Sequence, residues 1–157
     1  MYKYTVLVLI LSSIWACNNP KSSTDMATAT VQDSSTLKIS LAEWSFHKAL
    51  FDKKMDHLGF IAKAGAMGFS GVEYVNQFFA DKASDTSYLN KMTAASKKAG
   101  VAQLLIMVDG EGYLADMDKT KRDSAVTNHY KWVDAAAYLG CHSIRVNAHG
   151  EGSADEV

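Results

Sequence analysis

The stretch AAAYLGCHSIRVN, residues 135–147, decides the fold: an alanine-rich helical run stops at Gly140 and a short apolar strand follows at once. The same order stands twice upstream, as AGAMGFSGVEYV at 64–75 and SKKAGVAQLLIMV at 96–108. In each, a glycine occupies the place where a helix ends in the left-handed conformation before the chain turns into a sheet. The three glycines, Gly68, Gly100 and Gly140, lie 32 and 40 residues apart, close to the roughly 30 residues of a strand-helix-strand unit. Helices are predicted over 52–67, 88–99 and 123–139. In the last of them Ala125, His129, Trp132, Ala136 and Leu139 recur at steps of three and four and form one buried face.

The strands that follow the glycines carry the Val, Ile and Leu content of strands covered by crossover helices. A further strand, over 38–45, precedes them. Alternating strands and helices give an α/β fold with a parallel sheet and right-handed crossovers. The repeat length suits either an eight-fold barrel or a doubly wound sheet. A barrel takes about 250 residues, and four strands are half of its sheet. Ser153, Ala154, Asp155 and Glu156 read as the cap and acidic first turn of a fourth helix. The expectation is therefore a barrel of which only the first four units are present in this sequence.

With 48% apolar and 21% charged residues the chain has the composition of a globular domain. Sixteen basic residues against seventeen acidic ones give a formal charge of -1, which excludes the basic footprint of a nucleic-acid binder. Two cysteines, Cys17 and Cys141, exclude a disulfide scaffold. Cys141, just past a helix-ending glycine, reads as a small buried apolar residue.

Residues 1–16 read as a signal peptide: Lys3 precedes a short aliphatic run, too short for the roughly 20 apolar residues of a membrane span. The end of the run, Ile14-Trp15-Ala16-Cys17, resembles a bacterial lipoprotein box with Trp15 an unusual occupant, and it implies cleavage before Cys17 and lipidation of its thiol. Residues 17–36, rich in Ser and Thr, cannot bury a core and read as a disordered tether. The folded part is expected over 37–157, exported and lipid-anchored on the periplasmic or cell-surface side of a bacterial membrane.

Four phrases, SLAEWSFHKAL, AGAMGFSGVEYVNQFF, LLIMVDGEG and AAAYLGCHSIRVNAHGEG, taken in that order, resemble the first four βα units of the sugar phosphate isomerase/epimerase family with the xylose isomerase-like TIM barrel. The resemblance implies a (β/α)8 barrel and a sugar or sugar-phosphate substrate. It also implies a divalent metal, Mn, Mg, Co or Zn, that assists proton transfer between neighbouring carbons. Removing a proton beside a carbonyl leaves an enediolate, whose charge a metal stabilises while a carboxylate takes the proton. The family's metal ligands stand mainly on later strands, so no complete metal site is expected in this chain. The alternative is a non-catalytic carbohydrate-binding lipoprotein built on the same barrel, and a homo-oligomer is compatible with either.

In a barrel the polar residues at the C-terminal strand ends form the site. No catalytic role is assigned from the sequence. Glu73, opposite in face to Val72 and Tyr74, points inward and has Arg145 as its expected partner, either as a structural ion pair or as a substrate contact. Asn147 shares the face of Arg145 and, with His149, ends the fourth strand, where a side chain meets either a sugar hydroxyl or only solvent. Trp44 and His47 follow the first strand as an aromatic face for a sugar ring or as rim packing. Asp109 and Glu111 lie in a Gly-Glu-Gly loop, to touch substrate or to be solvated. With Ala115 that loop matches G-x-G-x-x-A, but its acidic residues would repel a pyrophosphate. His57, His129 and His142 read as structural.

Overall fold

A computed structural model of the protein describes residues 37–150. The expected signal peptide, Ser/Thr-rich tether, lipidated Cys17 and cap of a fourth helix lie outside the described residues. Four strands, β1 (Ser40–Ala42), β2 (Gly71–Val75), β3 (Ala102–Met107) and β4 (Ser143–Arg145), form one sheet. All pairs are parallel, and the strands lie side by side in chain order. Between them run α1 (His47–Phe51), α2 (His57–Ala66), α3 (Thr86–Ala99) and α4 (Lys119–Leu139). None of these helices is long and apolar enough to cross a membrane.

The glycines behave as their spacing predicts: Gly68, Gly100 and Gly140 have φ of 84°, 69° and 75°. Helix starts differ from the sequence reading for a local reason. The carboxylate of Asp56 accepts from Gly59 N at 2.6 Å, so α2 begins at His57 rather than at residue 52. Asp118 accepts from Thr120 N and Lys121 N and starts α4 at Lys119, a turn earlier than 123. Each is an aspartate whose oxygen satisfies amide donors left open at a helix start. The first strand is likewise shorter than 38–45, because at Glu43 the chain turns into a 3-10 helix over Glu43–Phe46.

Register fixes the two faces of the sheet. Leu41 stands beside Val72, and Tyr74, Ile106 and Ile144 stand in one row. These side chains pack with Phe60 and Ile61 of α2, Leu89 and Met92 of α3, and Trp132, Ala135 and Leu139 of α4 in one core. The helices also pack consecutively, α2 on α3 and α3 on α4. All three thus cover the same face, as strands in unbroken sequential order with right-handed crossovers require.

The other face carries no helix among the described residues. Across it run Ala42, Glu73, Leu105 and Ser143 in one row and Val75, Met107 and Arg145 in the next. Leu104 is an extra residue in β3, since Val72 pairs with Gln103 and Glu73 with Leu105. This bulge keeps Gln103 on the helix face, where it accepts from Tyr74 Oη at 2.8 Å and donates to the Leu139 carbonyl at 2.8 Å. Leu104 in turn lies over Gly71, where a Cβ would come within 2.7 Å of its Cδ1. Any larger residue at 71 would have to push the Leu104 side chain aside.

Candidate functional site

The C-terminal strand ends bring together side chains distant in sequence. Asn76, directly after β2 and 2% exposed, donates through Nδ2 to the Asp109 carbonyl and accepts from Asp109 N, at 2.9 and 3.0 Å. This amide clamp prolongs the β2–β3 pairing past the last strand residues. It fixes the Asp109 backbone, and the Asp109 carboxylate then accepts from Asn147 Nδ2 at 2.6 Å. Arg145 donates to Asn147 Oδ1 at 2.5 Å and stands 3.5 Å from the Asp109 carboxylate. Asp109, Arg145 and Asn147 thus form one network across the ends of β3 and β4.

The expected pair of Glu73 with Arg145 is not formed. Both lie on the open face, as periodicity indicates, but they are two strands apart and in different rows. At about 4.8 Å per strand the separation approaches 10 Å. Glu73 instead accepts from Ser40 Oγ at 2.5 Å, in the adjacent strand. Periodicity assigns a face, whereas strand order assigns the partner.

Glu111 is an anchor rather than a free carboxylate. It accepts from Trp132 Nε1 at 2.7 Å and pairs with Lys131 at 2.9 Å, while its backbone carbonyl accepts from Asn128 Nδ2. Burial works to raise its pKa, but the hydrogen bonds from Trp132 and Lys131 outweigh that effect and hold the carboxyl below its ordinary range. The loop after β3 is thereby tied to the middle of α4.

Between this loop, α4 and the exit of β4 opens a cleft of about 680 Å³. Val108 and Val146 give it apolar walls, and Asn147, His149, Tyr113 and His129 line it with polar or aromatic groups. The His149 ring meets Tyr113 edge to face at 4.5 Å. The loops after β3 and β4 are joined where Ala115 N donates to the His149 carbonyl at 3.1 Å. His129, which the sequence reading treats as structural, has its place on the buried face of α4 and also reaches the cleft.

Trp44 and His47 stand at the end of β1, stacked at 4.8 Å and 12°. His47 Nδ1 donates to the Trp44 carbonyl at 2.7 Å, which orients the imidazole. Phe51 and Phe78 extend the aromatic rim, and Trp44 remains 45% exposed. Beneath them lies a pair that the sequence reading does not single out. Glu43, fully buried, accepts from His57 Nδ1 at 2.6 Å and from Val75 N at 2.9 Å. A glutamate just after an apolar strand was its one visible sign, and its partners are 14 and 32 residues away.

Cys141 is half-buried against the core, and burial pushes its thiol up to about 11. That fits a packing role, since the thiolate is the reactive form. His142 is exposed at the opposite, N-terminal end of β4, where its ring meets the hydroxyl of its neighbour Ser143.

Among the described residues no three His, Cys, Asp or Glu side chains come together to hold a metal ion. The carboxylates nearest the strand ends already have partners: Glu43 on His57 and Val75, Asp109 on Asn147 and Arg145. These residues do not by themselves fit a divalent metal. What they offer is a rim of neutral and paired polar groups beside exposed aromatic rings. No protein-family model matches the chain, and no curated protein matches it either.

Proposed function

We propose that the chain forms the first four units of a (β/α)8 barrel of the xylose isomerase-like type. We further propose that it belongs to an exported sugar or sugar-phosphate isomerase or epimerase, anchored through a lipid on Cys17. The observation that carries this reading is the gathering of Glu43, Asn76, Asp109, Arg145 and Asn147 from four consecutive parallel strand ends. They stand at one rim of a sheet whose helices all lie on the other face. A doubly wound sheet reverses its strand order at a switch point and places helices on both faces. An arc of sequential strands with helices on one side is what barrel closure requires.

The chemistry of the rim suits a sugar. Hydroxyl groups need donors and acceptors side by side, and the Arg145–Asn147–Asp109 network presents both in a fixed order. An exposed indole such as Trp44 offers a flat face to the C–H side of a pyranose. In the reaction class proposed, a proton moves between neighbouring carbons by way of an enediolate. The role of the described residues in that reaction is to bind and orient the substrate.

A carbohydrate-binding role without catalysis is the second reading, favoured by the exposure of Trp44 and Phe51 at the rim. Incubating the native protein in D2O with pentoses and hexoses, as aldoses and ketoses, and following the C–H signals by proton NMR separates the two. Loss of the signal on the carbon next to the carbonyl, with appearance of the isomer, is the expected result. Ligand line broadening without exchange would leave only the binding role, and neither effect would end both readings.

A further inference from the structure

We propose that His129 is a ligand-binding residue of the cleft at the ends of β3 and β4, where its Nε2 accepts a hydrogen bond from a hydroxyl of a small neutral polyol. This assignment rests on the carbohydrate reading given above and gives it a location.

The ring is 7% exposed, and its Nδ1 stands 2.7 Å from the Ala125 carbonyl. A carbonyl only accepts, so Nδ1 carries the proton, and in the neutral ring Nε2 is left as an acceptor. None of the described residues bonds to that Nε2. The His129 ring lines the cleft. A nine-tenths buried imidazole, with Nδ1 held by its own helix, thus stands in the wall of an open cavity with Nε2 as its remaining polar atom.

The charges around the cavity decide what it takes. Glu111 is held by Trp132 and Lys131, and Asp109 by Asn147 and Arg145. Among the described residues lining it, neither a cation nor an anion finds an unpaired counter-charge. What remains are hydrogen-bonding groups, namely His129, the exposed His149 and the Asn147 amide, beside the apolar walls of Val108 and Val146. Alternating hydrogen-bonding and apolar surface of this kind complements a chain of C–H and O–H groups.

The test uses xylitol as the probe on the native protein. His129→Asn keeps a donor near the Ala125 carbonyl and removes the Nε2 acceptor. It is expected to keep the circular dichroism spectrum of the parent and to weaken xylitol binding at least tenfold by calorimetry. In the parent, saturating xylitol is expected to move the His129 Nε2 nitrogen resonance. Unchanged xylitol affinity in His129→Asn overturns the assignment. If the variant fails to fold, a His129 resonance that stays still in the parent at saturation overturns it equally. Trp44→Ala separates this failure from failure of the carbohydrate reading. Binding lost there but kept in His129→Asn moves the sugar to the Trp44 rim, and no xylitol binding to the parent at all overturns both.

Discussion

Replacing Glu43 by alanine is expected to lower the stability of the protein by about 3–5 kcal/mol, the usual cost of breaking a buried pair by removing one partner. Glu43 has no exposed surface, and each of its oxygens holds a different element. One accepts from His57 at the start of α2, the other from Val75 N at the end of β2. The variant leaves two buried donors without acceptors. The His57 ring has no other polar refuge, because its Nε2 is already unpartnered and its neighbours are Phe79, Tyr74 and Tyr88, with ring centres 4.6, 5.1 and 6.1 Å away. Glu43→Gln retains one acceptor and is expected to fall between alanine and the parent. Urea unfolding followed by circular dichroism measures all three. An alanine variant within about 1 kcal/mol of the parent would be incompatible with a carboxylate making both bonds.

The second large effect is expected at Trp132, whose replacement by alanine should cost about 3–5 kcal/mol. The indole is fully buried in the core beneath Phe79, and its Nε1 donates to Glu111. Trp132→Ala therefore opens a cavity and releases the loop after β3 together. Trp132→Phe separates the two, filling most of the volume while leaving the Glu111 carboxylate with Lys131 alone. A loss of roughly 1 kcal/mol is expected for it, on the scale of one hydrogen bond. The Glu111 carboxyl is held below its ordinary value of 4.5 in the folded protein. Its contribution is thus present above that value and is lost as pH falls through the lower folded one. The parent should loosen its loop on acidification, and Trp132→Phe should show less of that acid-side loss. Equal acid sensitivity in the two would show that the bond to Trp132 does not set the carboxyl's state.

The units of the fold were legible because helix ends and strand starts are local events. Gly140 stops α4 through its own backbone freedom, and the face containing Ala125, Trp132 and Leu139 follows from a period that any helix imposes. Aspartate caps were harder to place, since Asp52, Asp56, Asp118 and Asp123 all have the chemistry of a cap and the closing of the turn decides among them. Side-chain partners were not legible at all where they cross strands. Glu73 and Arg145 have opposite charges and the same face, yet Ser40 is one strand from Glu73 and Arg145 is two. Glu43 and Asn76 bind backbone amides or carbonyls, and such partners leave no signature in residue type. His129 carries a helical signal for burial, which conceals that a buried ring can still line a cleft.

In the proposed barrel this four-stranded sheet is one arc of the closed wall, with its helix-free face turned inward. The intact mass of the native polypeptide, taken from the membranes of its source cells, tests it most directly. The expected result is a polypeptide well above the 17.1 kDa of the present sequence, carrying the about 250 residues that a barrel needs. A native polypeptide of the present length, monomeric and unfolding in one sharp transition, would contradict it. The open face of the sheet would then be an ordinary solvent surface and the isomerase reading would fall with the barrel.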